Sequence, residues 1–294
     1  MDAITISDLT KRYPGKKTPA LDQLNLTIRE GEIFGYLGPN GAGKTTTIRL
    51  MLDFIRPTQG HVRILNRDVQ QESVQVRRLV GNLPGELSLW GRLTGRQILR
   101  YLAGLRPGCD LTYAYQLAER LYLDLDVKSD NYSTGNKRKV GIIQAMMHRP
   151  PVLILDEPTN GLDPLIRNTF HDLLHEAREN GQTVFLSSHV LSEVQAICDR
   201  VGILREGQLR LVEDMRTLRT NLERLVTLYS HERLNAVDWR SLPGVRTVET
   251  GHGYLRLIVQ GSLDEILKQA AQFAIEDMRV EVAGLEQLFM EIYQ

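Results

Sequence analysis

The run Gly38-Pro39-Asn40-Gly41-Ala42-Gly43-Lys44-Thr45 constrains this chain more than any other feature. It satisfies the spacing GxxxxGK[ST], which has a mechanism only where a strand runs into a helix. Ile33 to Leu37 is a continuous apolar run of strand length, and from Thr45 to Phe54 the apolar residues Ile48, Leu50, Met51 and Leu52 recur at helical spacing. In that setting the glycines let backbone N–H groups wrap a phosphate, and the helix N-terminus adds its positive end. Lys44 is placed to reach the outer phosphate oxygens, Thr45 to hold Mg²⁺, and Thr46 follows in the first turn of the helix. A bare glycine-proline turn would explain neither Lys44-Thr45 nor the flanking elements.

The remaining pattern predicts an α/β fold around that loop. Residues 3 to 9 and 24 to 28 alternate in polarity and read as half-buried antiparallel strands, an N-terminal β subdomain. From about Leu79 to Met147 the signals are mainly helical, which predicts a helical subdomain over about 86–150. Strands at Val152–Leu155, Thr183–Leu186 and Arg200–Leu204 then alternate with helices at about Leu165–Asn180 and Leu191–Ile197, which implies a parallel sheet with helices on both faces. After a hairpin at Glu206-Gly207 the texture changes. Short strands and helices near Leu263–Phe273 and Leu285–Tyr293 predict a small α+β domain over 221–294, the first domain covering 1–220.

Composition removes whole classes of function. Thirty-six Lys+Arg balance 36 Asp+Glu, so the basic excess of a nucleic-acid binder is absent. Cys109 and Cys198 are too far apart to frame a disulfide scaffold, and both read as small buried apolar residues. No apolar run approaches the roughly 18 residues of a membrane span, and residues 1 to 12 lack a signal-peptide core, so a cytoplasmic chain is expected.

A second motif carries chemistry. Val152-Leu153-Ile154-Leu155-Asp156-Glu157 is an apolar strand ending in two carboxylates, at the sheet edge where parallel-sheet ligands bind. Asp156 suits the orientation of Mg²⁺, and Glu157 the polarisation of an attacking water. With Tyr132-Ser133-Thr134-Gly135-Asn136 ahead of this strand, Gly161-Leu162-Asp163 after it and His189 behind the next, the chain resembles the ATP-binding subunit of an ATP-binding cassette (ABC) transporter over roughly residues 3 to 215. The resemblance implies a P-loop ATPase fold with ATP and Mg²⁺ as ligands. It implies that Tyr13 stacks on adenine, that Ser133 and Gly135 form a signature loop, that Glu157 is the catalytic base, that Asp163 links two subunits and that His189 is a switch histidine.

In such subunits ATP lies between the phosphate loop of one copy and the signature loop of another. Hydrolysis then needs a dimer with itself or a homologous ATPase subunit. It also implies a separate integral membrane permease, a place at the cytoplasmic face of the membrane, and, from the single cassette with an α+β tail, export of a drug, peptide, lipid or polymer. A non-transport cassette ATPase acting on ribosomes or DNA is the alternative; such proteins carry two cassettes or a long coiled coil, and neither pattern is seen in this sequence.

Two departures from the family pattern stand out. Tyr132, Thr134 and Asn136 replace three residues of the usual Leu-Ser-Gly-Gly-Gln signature, followed by Lys137-Arg138-Lys139. Gly85 then stands where a glutamine usually senses Mg²⁺ and the permease, which makes the neighbouring Glu86 a candidate to supply that contact. Leu89, Trp90 and Leu93, just beyond this loop, are candidates for docking the permease. His171 and His175, at i, i+4, read as an exposed helix face rather than a zinc site, and Arg77, Arg78, Arg92, Arg96 and Arg100 as a solvated basic face.

Overall fold

A computed structural model describes residues 1–106, 109–221, 223–232, 234 and 237–282. The chain divides between Val212 and Glu213 into two compact units, slightly ahead of the residue-220 boundary expected from the sequence.

In the first unit, β1 (Asp2–Lys11) pairs antiparallel with β2 (Leu21–Arg29) and with β4 (Gln59–Ile64), which turns into β5 (Arg67–Asp68). Alternation in β2 sends Leu24, Leu26 and Ile28 into the core and leaves Asn25 and Thr27 outside.

The second sheet has the order β10-β9-β3-β8-β7-β6, where β3 is Ile33–Leu37, β6 Val80–Leu83, β7 Val152–Asp156, β8 Thr183–Ser188, β9 Arg200–Arg205 and β10 Gln208–Asp214. Every residue of β3, β7 and β8 is buried, as strands covered on both faces require. Helix α1 (Lys44–Met51) follows β3, and α2 (Ser73–Leu79) leads into β6. A helical section, α3 (Gly95–Gly104), α4 (Leu111–Arg120) and α5 (Thr134–Met146), lies between β6 and β7 in sequence. Helix α6 (Pro164–Glu179) joins β7 to β8, and α7 (Leu191–Ile197) joins β8 to β9.

Side chains start these helices. Thr94 and Gln97 form a reciprocal capping box on α3, Asp110 caps α4, Ser133 caps α5, and Asp163 caps α6 with Pro164 at the first helical position.

Strand β6 corrects the sequence expectation that the stretch from Leu79 is mainly helical. Val-Gly-Asn-Leu is short and has weak strand character, and its conformation comes from pairing with β7 from Val80↔Val152 to Leu83↔Leu155. Gly81 permits the packing: a Cβ there would stand 2.0 Å from the Ala145 carbonyl oxygen of α5.

The second unit is α+β, as expected. Helix α8 (Met215–Asn221) precedes a four-stranded antiparallel sheet of order β12-β13-β11-β14, with β11 Glu223–Tyr229, β12 Val245–Gly251, β13 Tyr254–Gln260 and β14 Asp277–Val282. Its apolar face, carrying Val226, Leu228, Leu255 and Leu257, packs with Trp239 and with Ile266 of α9 (Asp264–Ala270). The helix expected at Leu285–Tyr293 lies outside the described residues.

Candidate functional site

Sheet register assembles the site. Leu37 of β3 is level with Ser188 of β8, and Ser187 is level with Asp156 of β7, so three loops leave the same edge of the sheet together. These loops carry Gly38 to Thr45, Glu157 to Asp163, and His189. The Gly38 N–H donates to the Ser188 carbonyl at 3.2 Å, tying the phosphate loop to the strand before His189. Gly43 opens α1 with φ 115°, outside the range of an ordinary L-residue, and turns the loop into the helix. Asn40 and Gly41 are exposed on the loop, and Thr46 is half-buried.

Five of the residues expected from the sequence meet here. The buried Lys44 ammonium donates to the carbonyls of Gly38 at 2.7 Å and Pro39 at 3.2 Å, and lies 3.2 Å from Glu157 Oε1. The other oxygen of Glu157 is 2.7 Å from His189 Nδ1, so the carboxylate is held at both ends. Asp156 accepts from the Thr45 hydroxyl at 2.9 Å and from the Ser187 hydroxyl at 2.5 Å. One buried carboxylate beside one hydroxyl supplies hard oxygen donors and leaves most coordination positions to phosphate and water, which fits Mg²⁺. Among the described residues no cluster of three or more His, Cys, Asp or Glu could hold a metal by itself. A cavity of about 280 Å³ opens beside Thr45 and Asp156 and is also lined by Gly85 and Glu86.

Glu157 has φ 48°, a left-handed backbone that side chains of its kind adopt rarely and at a cost in strain. Its N–H donates to Ser187 Oγ at 3.0 Å, and its carbonyl accepts from the Asn160 N–H at 3.2 Å to open the turn towards Asp163.

The other predicted residues lie elsewhere. Ser133 is exposed and its hydroxyl accepts from the Asn136 N–H, while Gly135 lies against Gly161 of the same chain. Among the described residues no hydrogen bond or ion pair joins Ser133, Gly135 or Asp163 to Lys44, Thr45, Asp156 or Glu157. Burial lowers the pKa of Lys139, and the charge of Asp163 opposes that shift. Tyr13 is half-buried under the Lys11 ammonium, on a loop that returns through Ala20 to the back of Gly43.

Three side chains of the site escaped the sequence reading. Ser187 links Glu157 to Asp156. Glu193, buried, accepts from Thr159 at 2.7 Å and Ser188 at 3.1 Å and pairs with Arg167 at 3.3 Å, so it straps the turn after Glu157 to the loop before His189. Arg138, also buried, donates to the carbonyls of Pro84 at 2.6 Å, Gly85 at 3.0 Å and Pro158 at 3.2 Å, and to those of Asp156 and Glu157. Burial lowers its pKa, and the carboxylates of Asp156 and Glu157 oppose that.

Some expectations need correction. Cys109 is half-buried, whereas Cys198 is fully buried and its thiol pKa is raised by burial. His171 and His175 are half-buried rather than an exposed face, because α6 turns that side toward Glu193. Two arginines of the basic run are engaged: Arg77 with Ser73 and the Leu52 carbonyl, Arg96 bidentate with Asp126. Trp90 is 52% exposed and meets Tyr101, 55% exposed, edge-on at 5.5 Å.

A family model described as ABC transporter matches residues 21–160. The bacitracin transport ATP-binding protein BcrA of Bacillus licheniformis is 38% identical over 209 residues, 70% of this chain and 68% of that protein. A probable multidrug ABC transporter ATP-binding protein, YbhF of Escherichia coli (strain K12), is 35% identical over 211 residues, 70% of this chain and 36% of that protein. A bacterial ABC transporter cassette solved as a dimer is 25% identical with a TM-score of 0.66, covering 72% of this chain and 99% of that one. With a phosphate loop, paired carboxylates and a following histidine at one sheet edge, and with BcrA 38% identical over about two thirds of its length, the chain belongs to the ABC transporter ATP-binding proteins.

Proposed function

We propose that this chain is the Mg²⁺-dependent ATP-hydrolysing subunit of an exporter, acting as a dimer with itself or a homologous subunit and driving a separate integral membrane permease. The clamp of Glu157 between Lys44 and His189, next to the Thr45–Asp156 pair, supports this reading more than any other observation.

Lys44 neutralises the β and γ phosphate oxygens, and the phosphate-loop amides with Gly38, Asn40, Gly41, Gly43 and Thr46 enclose them. Thr45 and Asp156 hold Mg²⁺. When bound, that ion offsets the charge that builds on the phosphate oxygens. Glu157 accepts a hydrogen bond from the attacking water and orients it in line with the γ-phosphate, and His189 fixes the carboxylate's rotamer. Tyr13 stacks on the base. The exposed Ser133 and the half-buried Gly135, both apart from Lys44, serve the partner's nucleotide, and Asp163 joins the two copies. Closure on ATP and reopening after phosphate release supply the motion passed to the permease.

The names of the bacitracin and multidrug relatives support export of a drug, peptide, lipid or polymer, from a position at the cytoplasmic face of the membrane. Among the described residues no helix is long and apolar enough to cross a membrane, which supports a permease on another chain. The unit from Glu213 onward is an accessory domain, since every nucleotide residue precedes it.

Steady-state ATPase assays of the purified chain test the reading. Turnover should require Mg²⁺ and fall to background in Lys44→Ala, while comparable turnover in that variant would refute the assignment.

A further inference from the structure

Arg138 carries more than its own helix requires. It lies in the second turn of α5, the helix that Ser133 caps, so the turns that present Ser133 outward send this side chain inward. There it meets five carbonyls from two segments remote in sequence: Pro84 and Gly85 on one side, Asp156, Glu157 and Pro158 on the other. No carboxylate oxygen is within ion-pair distance of it among the described residues, so this buried cation is held by backbone dipoles. A planar guanidinium has five N–H donors in a fixed fork, and a displaced acceptor on one side drags the fork against the other. The acceptors also differ in kind. Pro84 and Gly85 line the cavity beside Asp156, at the loop where a side-chain sensor is missing, whereas the other three carbonyls belong to the backbone that aims the Asp156 and Glu157 carboxylates.

We propose that Arg138 is a positioning residue for hydrolysis, in which one guanidinium couples the Pro84–Gly85 loop and the start of α5 to the backbone carrying Asp156 and Glu157. Communication that a glutamine side chain at position 85 would provide runs here through main-chain carbonyls. The inference rests on the ATPase reading above, and its failure is separable from that reading.

The full-length chain and its Arg138→Lys and Arg138→Gln variants provide the test. Lysine keeps the charge and most of the stem, but its single ammonium cannot span both groups of carbonyls. Displacement of a reacting group by about 1 Å costs on the order of 100-fold in rate, so kcat should fall at least about tenfold in both variants. The KM for ATP and metal-free nucleotide binding, which depend on Lys44 and the phosphate loop, should stay within about twofold. Hydrogen exchange should accelerate in segments 84–87 and 157–160 together, with β8 unchanged. A kcat for Arg138→Lys within about twofold of the parent overturns the proposal, as does loosening of only one segment. Loss of nucleotide binding in parallel with kcat, in a variant that keeps the folded circular dichroism spectrum, overturns it in favour of general support of the nucleotide site. Where neither variant folds, the parent protein decides: ATP must slow exchange in both segments together, and a response in one alone overturns the coupling. An inactive parent refutes the ATPase reading, whereas an active parent with unaffected variants refutes only the role of Arg138.

Discussion

Replacing Ser187 by alanine removes one oxygen with two tasks in a place water does not reach. The residue is fully buried, and its hydroxyl donates to Asp156 Oδ1 at 2.5 Å while accepting from the Glu157 N–H at 3.0 Å. A hydrogen bond to a charged group contributes about 1.5–3 kcal/mol and a neutral one about 0.5–1.5 kcal/mol, which gives a loss of about 2–4.5 kcal/mol for the pair. In a unit the size of residues 1–212 that corresponds to a fall in midpoint of roughly 4–18 °C. The same change frees the Asp156 carboxylate to rotate and removes the tether on the left-handed backbone of Glu157. Metal-free nucleotide binding, carried by Lys44 and the loop amides, should therefore survive while the Mg²⁺ needed for half-maximal ATPase activity rises. Calorimetry of the purified variant with an ATPase titration against Mg²⁺ reads both effects. A midpoint within about 1 °C of the parent, or an unchanged Mg²⁺ curve, would refute the idea that this hydroxyl organises the carboxylate pair.

Glu157→Gln should keep ATP binding, lower turnover by at least about 100-fold through loss of general-base assistance, and accumulate a dimer with ATP on size-exclusion chromatography; a monomer at high protein concentration argues against a homodimer. Glu86→Ala should raise the Mg²⁺ requirement of the ATPase without changing metal-free nucleotide binding, and an unaltered titration removes Glu86 from the metal site. Trp90→Ala, which truncates the half-exposed Trp90–Tyr101 pair, should leave ATPase activity within about twofold while abolishing co-purification with the permease; retained co-purification rules out docking there. Burial and the neighbouring Arg106 charge push the pKa of His148 down to about 4, against 6.5 for the free side chain. Between those values the unfolded chain binds the extra proton, so stability should fall as pH drops from about 6.5 to about 4, and His148→Phe should flatten that limb of a urea-denaturation series.

Motifs that are contiguous in sequence were legible before the structure, and side chains that bridge remote segments were not. Gly38 to Thr45 and Val152 to Glu157 each carry their chemistry in one run of residues, and parallel pairing of β3, β8 and β7 then brings them to a common edge. Arg138 looked like one of three basic residues at the start of a helix, because its acceptors lie 18 to 20 and 53 to 54 positions away. Ser187 lies just past the strand expected at Thr183–Leu186 and Glu193 inside the helix expected at Leu191–Ile197, and neither position points to its remote partners. Strand β6 was hidden because its conformation comes from its neighbour rather than its own residues. The half-burial of His171 likewise depends on α6 packing beside α7, a relation no local pattern encodes.

The backbone of Glu157 sets selection for activity against selection for robustness. A φ of 48° at the end of a buried strand suits glycine or asparagine better than glutamate, by about 1–3 kcal/mol where the strain is relieved. Laboratory evolution of this chain for heat resistance alone should therefore discard the glutamate at position 157 early, and the most durable descendants should bind ATP without turning it over. Selecting for ATP turnover as well as heat resistance would restore it. The position is thus a sensitive reporter of whether a lineage is still being asked to work.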